Sequence, residues 1–258
     1  MRKKGWVLAA AACFLLAGCG ESKEALDARL AGIGELENGD ASAAIASFET
    51  ALAEADGVVG EFELDVLKYR AQAEYETGDY AAAAHTFGIL AEVDQNRPEY
   101  LYHKAASEAL AGELETALAD YALARESGSG AGVSEEQAAG SELALSAICA
   151  AAREAGEPQT AVDFCRQALE EGSAGTEIYN QLGISLAAAG AYEEALSALE
   201  EGIALADADE ARQLTQNMAA ICEQQGDFAR ALSLLRACAA DGGMTPELEK
   251  EIAFLESR

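Results

Sequence analysis

A glycine that recurs at near-constant spacing constrains this chain more than any other feature. Six times along the 258 residues, a Gly is followed by an acidic or small residue and often then by an aromatic. The instances are Gly39-Asp40, Gly78-Asp79-Tyr80, Gly112-Glu113, Gly156-Glu157, Gly190-Ala191-Tyr192 and Gly226-Asp227-Phe228, at intervals of 39, 34, 44, 34 and 36 residues. Such a period means stacked supersecondary units, none of which buries its apolar face alone. Three more positions keep register with each Gly. Seven residues before it stands a small residue (Gly32, Ala71, Ala105, Cys149, Gly183, Ala219), and five after it always Ala (Ala44, Ala83, Ala117, Ala161, Ala195, Ala231). Nine after it comes a larger residue (Phe48, Phe87, Tyr121, Cys165, Leu199, Leu235), undersized only at Cys165. This is the pattern of a helix hairpin. The Gly ends one helix where left-handed backbone is cheapest, small residues let an antiparallel helix approach, and the larger one fills the space between.

Composition agrees. Half the residues are hydrophobic with Ala prominent, Pro occurs three times and aromatics make up 6%, which favours helices over strands. The net charge of −29 leaves no basic footprint for nucleic acid and no electrostatic attraction to anionic lipid headgroups, so no nucleic-acid partner is expected.

Spacing and register are similar to the tetratricopeptide repeat (TPR) family over about residues 25–240. The resemblance implies an all-α, right-handed α-solenoid of about six TPR hairpins, at about 25–58, 61–97, 98–126, 134–172, 175–208 and 209–240. A C-terminal capping helix is expected over 244–258, with Thr245 as N-cap and Pro246 as first helical residue, running to about Ser257. Arg70 and Lys104 stand where the family carries an apolar residue; their stems are expected to pack while their heads reach water. Pro158 replaces the usual aromatic after the fourth turn. Two insertions are expected, one around Asp56 to Gly60 and one from Ser127 to Gly132, the second either a hinge between two halves or a passive surface loop. Ser134 with Gln137 makes a capping box that extends the next helix at its start.

In this family the binding surface is the concave face, lined by the first helix of each hairpin. Carried onto this sequence, the resemblance places Arg29, Lys68, Tyr69, Gln72, Tyr75, Tyr102 and His103 there, followed by Arg153, Asn180, Gln181, Gln216 and Asn217. Tyr offers contact area at little entropic cost, and Asn and Gln hydrogen-bond a peptide backbone. Gln72 and His103 replace the asparagines with which some family members clamp a C-terminal carboxylate. Four cysteines follow residue 100, each pair sixteen residues apart within one hairpin. Cys149 and Cys165 fall nearly opposite, so they read either as a disulfide or as small buried residues. Cys222 and Cys238 are offset along their helices.

The first twenty residues carry a separate signal. Arg2, Lys3 and Lys4 precede an apolar stretch from Trp6 to Ala17, too short to span a bilayer as a helix. It ends in Leu16-Ala17-Gly18-Cys19, which closely resembles the bacterial lipobox. That resemblance implies a signal peptide over 1–18, a lipidated N-terminal Cys19 and a short tether over 19–24. Acyl chains on Cys19 give durable anchoring. The expected location is the extracytoplasmic face of the cell membrane, and Gly20 permits outer-membrane sorting where there is a second membrane.

No catalytic set is legible. His85 and His103 lie in helical stretches without metal-ligand neighbours, and no Gly-rich phosphate loop follows a strand. The expectation is a non-enzymatic, membrane-anchored module without cofactor, binding a protein or peptide on its concave face. The alternative is a structural lipoprotein that associates with copies of itself as a homo-oligomer.

Overall fold

In the computed structural model, residues 21–55, 59–94, 97–128, 140–173 and 175–258 are described. Cys19 and the lipobox, the insertion residues 56–58, the linker from Ser129 and the Ser134–Gln137 capping box lie outside them.

All six repeat glycines adopt left-handed backbone, with φ between 79° and 86°. The second hairpin shows how the turn works. Gly78 N–H donates to the carbonyl of Tyr75 (3.1 Å) and Asp79 N–H to that of Glu74 (3.0 Å), which satisfies the last carbonyls of the first helix. Asp79 then N-caps the next helix, its carboxylate accepting from Ala82 N–H at 3.2 Å. Asp40 and Asp227 cap in the same way, at 3.1 and 3.0 Å. In these three hairpins the aspartate after the glycine therefore starts a helix as well as closing one.

Thirteen helices form among the described residues, and no strand. Six antiparallel hairpins follow in order: α1 (Lys23–Glu37) with α2 (Ala41–Ala53), α3 (Glu61–Glu76) with α4 (Tyr80–Val93), and α5 (Pro98–Leu110) with α6 (Leu114–Gly128). Then come α7 (Ser141–Glu154) with α8 (Pro158–Glu170), α9 (Thr176–Ala188) with α10 (Tyr192–Ile203), and α11 (Ala208–Gln224) with α12 (Phe228–Gly242). Helix α13 (Pro246–Glu256) closes the right-handed solenoid, capped by Thr245 Oγ1 accepting from Leu248 N–H. It seals the end by burying Leu248, Ile252 and Leu255.

Two boundaries move. Helix α1 starts at Lys23 because Ser22 Oγ accepts from Ala25 N–H at 2.9 Å, an N-cap that shortens the expected tether. Helix α6 runs through Ser127 to Gly128, so the first two residues of the Gly/Ser-rich segment continue the helix.

Inside each hairpin the three register positions form the core. The six alanines five residues after the turn are fully buried. A Cβ on Gly32 would fall 2.6 Å from the Phe48 ring, and one on Gly183 2.6 Å from Leu199 Cγ. In these two hairpins the seventh residue before the turn thus meets the ninth after it. In the fourth hairpin this pair is Cys149 and Cys165, both fully buried thiols with Sγ atoms 3.3 Å apart. Cys222 and Cys238 are also buried thiols, and Cys238 Sγ points to the carbonyl of Arg212 at 3.8 Å.

The heads of Arg70 and Lys104 do not simply reach water, as expected, but form ion pairs within their hairpins. Arg70 pairs with Glu74 at 2.7 Å and Lys104 with Glu108 at 3.2 Å, each four residues on. Both carboxylates are buried and look across to the second helix. Thr86 donates to Glu74 at 2.7 Å, and Asp120 meets Lys104 at 2.6 Å. The first hairpin does the same, with Ser47 donating to Glu35 at 2.6 Å. Equivalent positions in the last three hairpins are apolar (Ala152 with Phe164, Leu186 with Ala198, Cys222 with Leu234). At these positions the first three hairpins are joined by polar contacts and the last three carry apolar side chains.

Candidate functional site

The groove along the first helices of the hairpins is not uniform. Helices α5 and α7 pack directly on one another, and so do α7 and α9, whereas α3 and α5 barely touch. Between α3 and α5 a cavity of about 590 Å³ opens, lined by Lys68, Tyr75, Phe87, Tyr100, His103 and Leu143 among others. It has the size of a small-ligand or side-chain pocket, mostly apolar with a few polar groups at its rim.

Several lining residues are held in place by their neighbours. His103 stacks on Phe87 with ring centroids 5.1 Å apart, and burial pushes its imidazole below the usual histidine range, so it is neutral at pH 7. Tyr75 lies edge-on to Tyr80 at 5.3 Å. Lys68 spans the rim with its ammonium 5.5 Å from the Tyr100 ring centre. The interaction with the Tyr100 hydroxyl raises the Lys68 pKa above its ordinary value, so the Lys68 ammonium is fully charged at neutral pH. Gln72 is exposed there and donates to Glu76 at 2.9 Å.

Of the residues expected on this face, Lys68, Gln72, Tyr75 and His103 meet at the cavity. Tyr69 lies outside it, half-buried and stacked on Phe48, and Arg29 is tied to Asp65 at 2.6 Å. Tyr102 is buried edge-on against Tyr121 at 5.2 Å, because the helix turns it toward its own hairpin partner. Asn180 and Gln181 are also buried, with their amides engaged between repeats. Arg153 donates to Gln181 and to Ser185, each at 2.9 Å, and Gln181 donates to Glu177 at 2.8 Å. Asn217 donates to Asn180 at 2.7 Å. This network ties α7, α9 and α11 together, so these side chains shape the groove instead of standing free in it. Gln216 is exposed on α11.

Sequence reasoning missed Phe87, Tyr100 and Leu143 as lining residues. One signal for Leu143 was present. Thirteen residues before each turn the sequence reads Leu26, Asp65, Glu99, Leu143, Glu177 and Gln213, and Leu143 interrupts the polar run while remaining 39% exposed.

Beyond Leu143 lies a second depression of about 290 Å³, lined by Glu142, Leu143, Ser146, Thr176, Glu177, Asn180, Glu210, Gln213 and Leu214. Glu177 there accepts from Ser146, Asn180 and Gln181, and Glu210 accepts from Thr176 at 3.0 Å. Among the described residues, no group of three or more His, Cys, Asp or Glu side chains is placed to hold a metal ion. No helix among them is long and apolar enough to cross a membrane.

Six stacked hairpins with a groove on their first helices define a TPR-type α-solenoid, and comparison with solved structures bears out that fold. The chain is similar to a tetratricopeptide repeat protein from Parabacteroides merdae, with 15% identity, TM-score 0.61, and 92% of this chain and 87% of the other covered. It is similar to the C-terminal part of a TPR repeat-containing protein from Cytophaga hutchinsonii (12% identity, TM-score 0.53, 88% and 87% covered). It also resembles a chain of the APC/C hetero-tetramer Cut9–Hcn1 (15% identity, TM-score 0.51), covering 90% of this chain and 43% of that one. No protein-family model and no curated relative matches the sequence.

Proposed function

We propose that this chain is a non-enzymatic, lipid-anchored interaction module that holds a peptide or protein segment in the groove of its first helices. The observation that carries the reading is the open, largely apolar cavity between α3 and α5, whose rim residues are fixed by their own neighbours. A preformed pocket spares a ligand the cost of ordering it. The anchor rests on the lipobox at Cys19. With α1 starting at Lys23, the tether reaches only about 14 Å when extended, which holds the array at the membrane surface.

Photo-cross-linking in the producing cells tests both parts. A photoreactive residue at Gln72, exposed in the groove, should give discrete adducts with a partner, while one at His85, exposed on α4, should give none. Cys19→Ser should release the protein from the membrane fraction. Adducts of equal yield from both positions contradict the groove, and unchanged fractionation contradicts the anchor.

A specific feature favours self-association as a second reading. Leu26 and Leu30, one helical turn apart on α1, are 44% and 62% exposed among the described residues. A monomer at every concentration in sedimentation equilibrium rules it out.

A further inference from the structure

We infer that the groove selects a segment combining an apolar anchor with an adjoining basic stretch, an inference that rests on the docking reading above. The anchor belongs in the cavity between α3 and α5, whose walls are the rings of Tyr75, Phe87 and Tyr100 and the Leu143 side chain. Leu143 also lines the second depression, so the two sites adjoin at this side chain. The chemistry changes there. The second depression presents Glu142, Glu177 and Glu210 and no Lys or Arg among its lining residues. The cations around it are engaged elsewhere: Arg153 with Gln181 and Ser185, Arg125 with Glu171, and Arg212 with Asp209. Amide and hydroxyl donors hold Glu177 and Glu210 in place, so the carboxylates are preorganised, and among the described residues no ion pair neutralises their charge.

Charge complementarity therefore sets the occupant. A Lys- or Arg-bearing segment passing Leu143 finds a fixed negative surface, within a chain whose net charge of −29 already attracts cations and repels acidic chains. The cavity on the other side offers mainly aromatic faces, which suit a Leu, Phe or Trp side chain. At its rim Lys68 offsets Glu76, and Glu99 is paired with Arg97 at 3.1 Å, leaving the apolar site without a strong charge preference of its own.

Selection of a random peptide library on the detergent-solubilised full chain tests this. Enriched peptides should carry a large apolar residue within a few positions of Lys or Arg. Their binding should weaken roughly tenfold with Leu143→Ala, which removes the side chain common to both sites, and roughly tenfold with Gln213→Lys, which places a cation in the acidic depression without removing any hydrogen bond seen there. Ser233→Lys, an equal charge change on the exposed face of α12, should leave affinity within twofold and so separates site binding from general attraction to an acidic protein. Acidic or charge-indifferent peptides that still lose affinity with Leu143→Ala overturn the basic-segment assignment while the groove stands. Equal losses from Gln213→Lys and Ser233→Lys also overturn it. No enrichment, or binding untouched by every groove substitution, overturns the groove itself.

Discussion

Gly183→Val is expected to destabilise the array by about 3 kcal/mol, at the upper end of what an overpacked interior costs. A Cβ at this position meets Leu199 Cγ at 2.6 Å, Leu199 Cδ2 at 2.8 Å and the Ala195 carbonyl oxygen at 3.2 Å. Leucine has some rotamer freedom to yield, but a helix carbonyl has none, so α9 must move away from α10. Gly34, also inside a helix, has nothing within 4 Å of a built Cβ. There Gly34→Ala should stabilise by about 0.5–1 kcal/mol, the ordinary gain in helix propensity. Urea unfolding of both variants checks the pair. Leu199→Ala alone should cost about 2–5 kcal/mol through the cavity it leaves. Combined with Gly183→Val, the loss should fall short of the sum, since each change relieves the other. Equal responses at Gly183 and Gly34 contradict the close approach on which the hairpin reading depends.

The second large effect depends on pH. Lys104 stands between Asp120 at 2.6 Å and Glu108 at 3.2 Å in the third hairpin. Burial, reinforced by Asp120 and partly offset by Lys104, pushes the Glu108 carboxyl from its ordinary 4.5 up to about 7. The folded state therefore holds this proton more tightly than the unfolded chain does. The stability linked to it is complete below about pH 4.5 and is lost as pH rises through about 7. Lys104→Met removes the cation and leaves two carboxylates facing one another. The expected loss is about 2 kcal/mol at pH 8 and markedly less at pH 5, where Glu108 takes up a proton and donates a hydrogen bond instead. Glu108→Gln should have the opposite effect, raising stability by about 1–2 kcal/mol at pH 8 and hardly at all at pH 5. Thermal unfolding at both pH values reads the difference. A Lys104→Met penalty equal at pH 5 and pH 8 contradicts the shared proton.

These two effects show what the sequence made legible and what it did not. The contact of Gly183 with Leu199 was readable, because the glycine turn fixes where two helices reverse and the positions seven before and nine after it must then face each other. The Cys149–Cys165 contact follows from the same count. The Lys104 cluster was only half readable. Arg70 and Lys104 stood out as charges at an apolar position, but their partners are visible only as a pattern, with Glu35, Glu74 and Glu108 four residues before the turn and Ser47, Thr86 and Asp120 eight after it. In an acidic chain, single glutamates look like solvated surface until the fold buries them.

The groove was less legible still. Which helices line it followed from the family resemblance, but the separation of α3 from α5 is a result of packing between repeats and has no signature in either helix alone. Neighbouring side chains also face differently: Tyr102 turns into its hairpin while His103 turns to the groove, a distinction finer than a residue count resolves. Asn180 and Gln181 were expected as peptide ligands from the family resemblance and their amide chemistry. The structure uses the same hydrogen-bonding capacity to join repeats, and only the positions of Glu177, Arg153 and Asn217 reveal that.

Hydrogen–deuterium exchange on the full chain, free and saturated with a peptide it selects, tests the docking claim most directly. Occupation of the groove should slow exchange in α3, α5, α7, α9 and α11 and leave α6 and α8 at their free rates, because apart from Phe87 on α4 both depressions are lined by first helices. Protection confined to the second helices, or spread evenly along all hairpins, would contradict it.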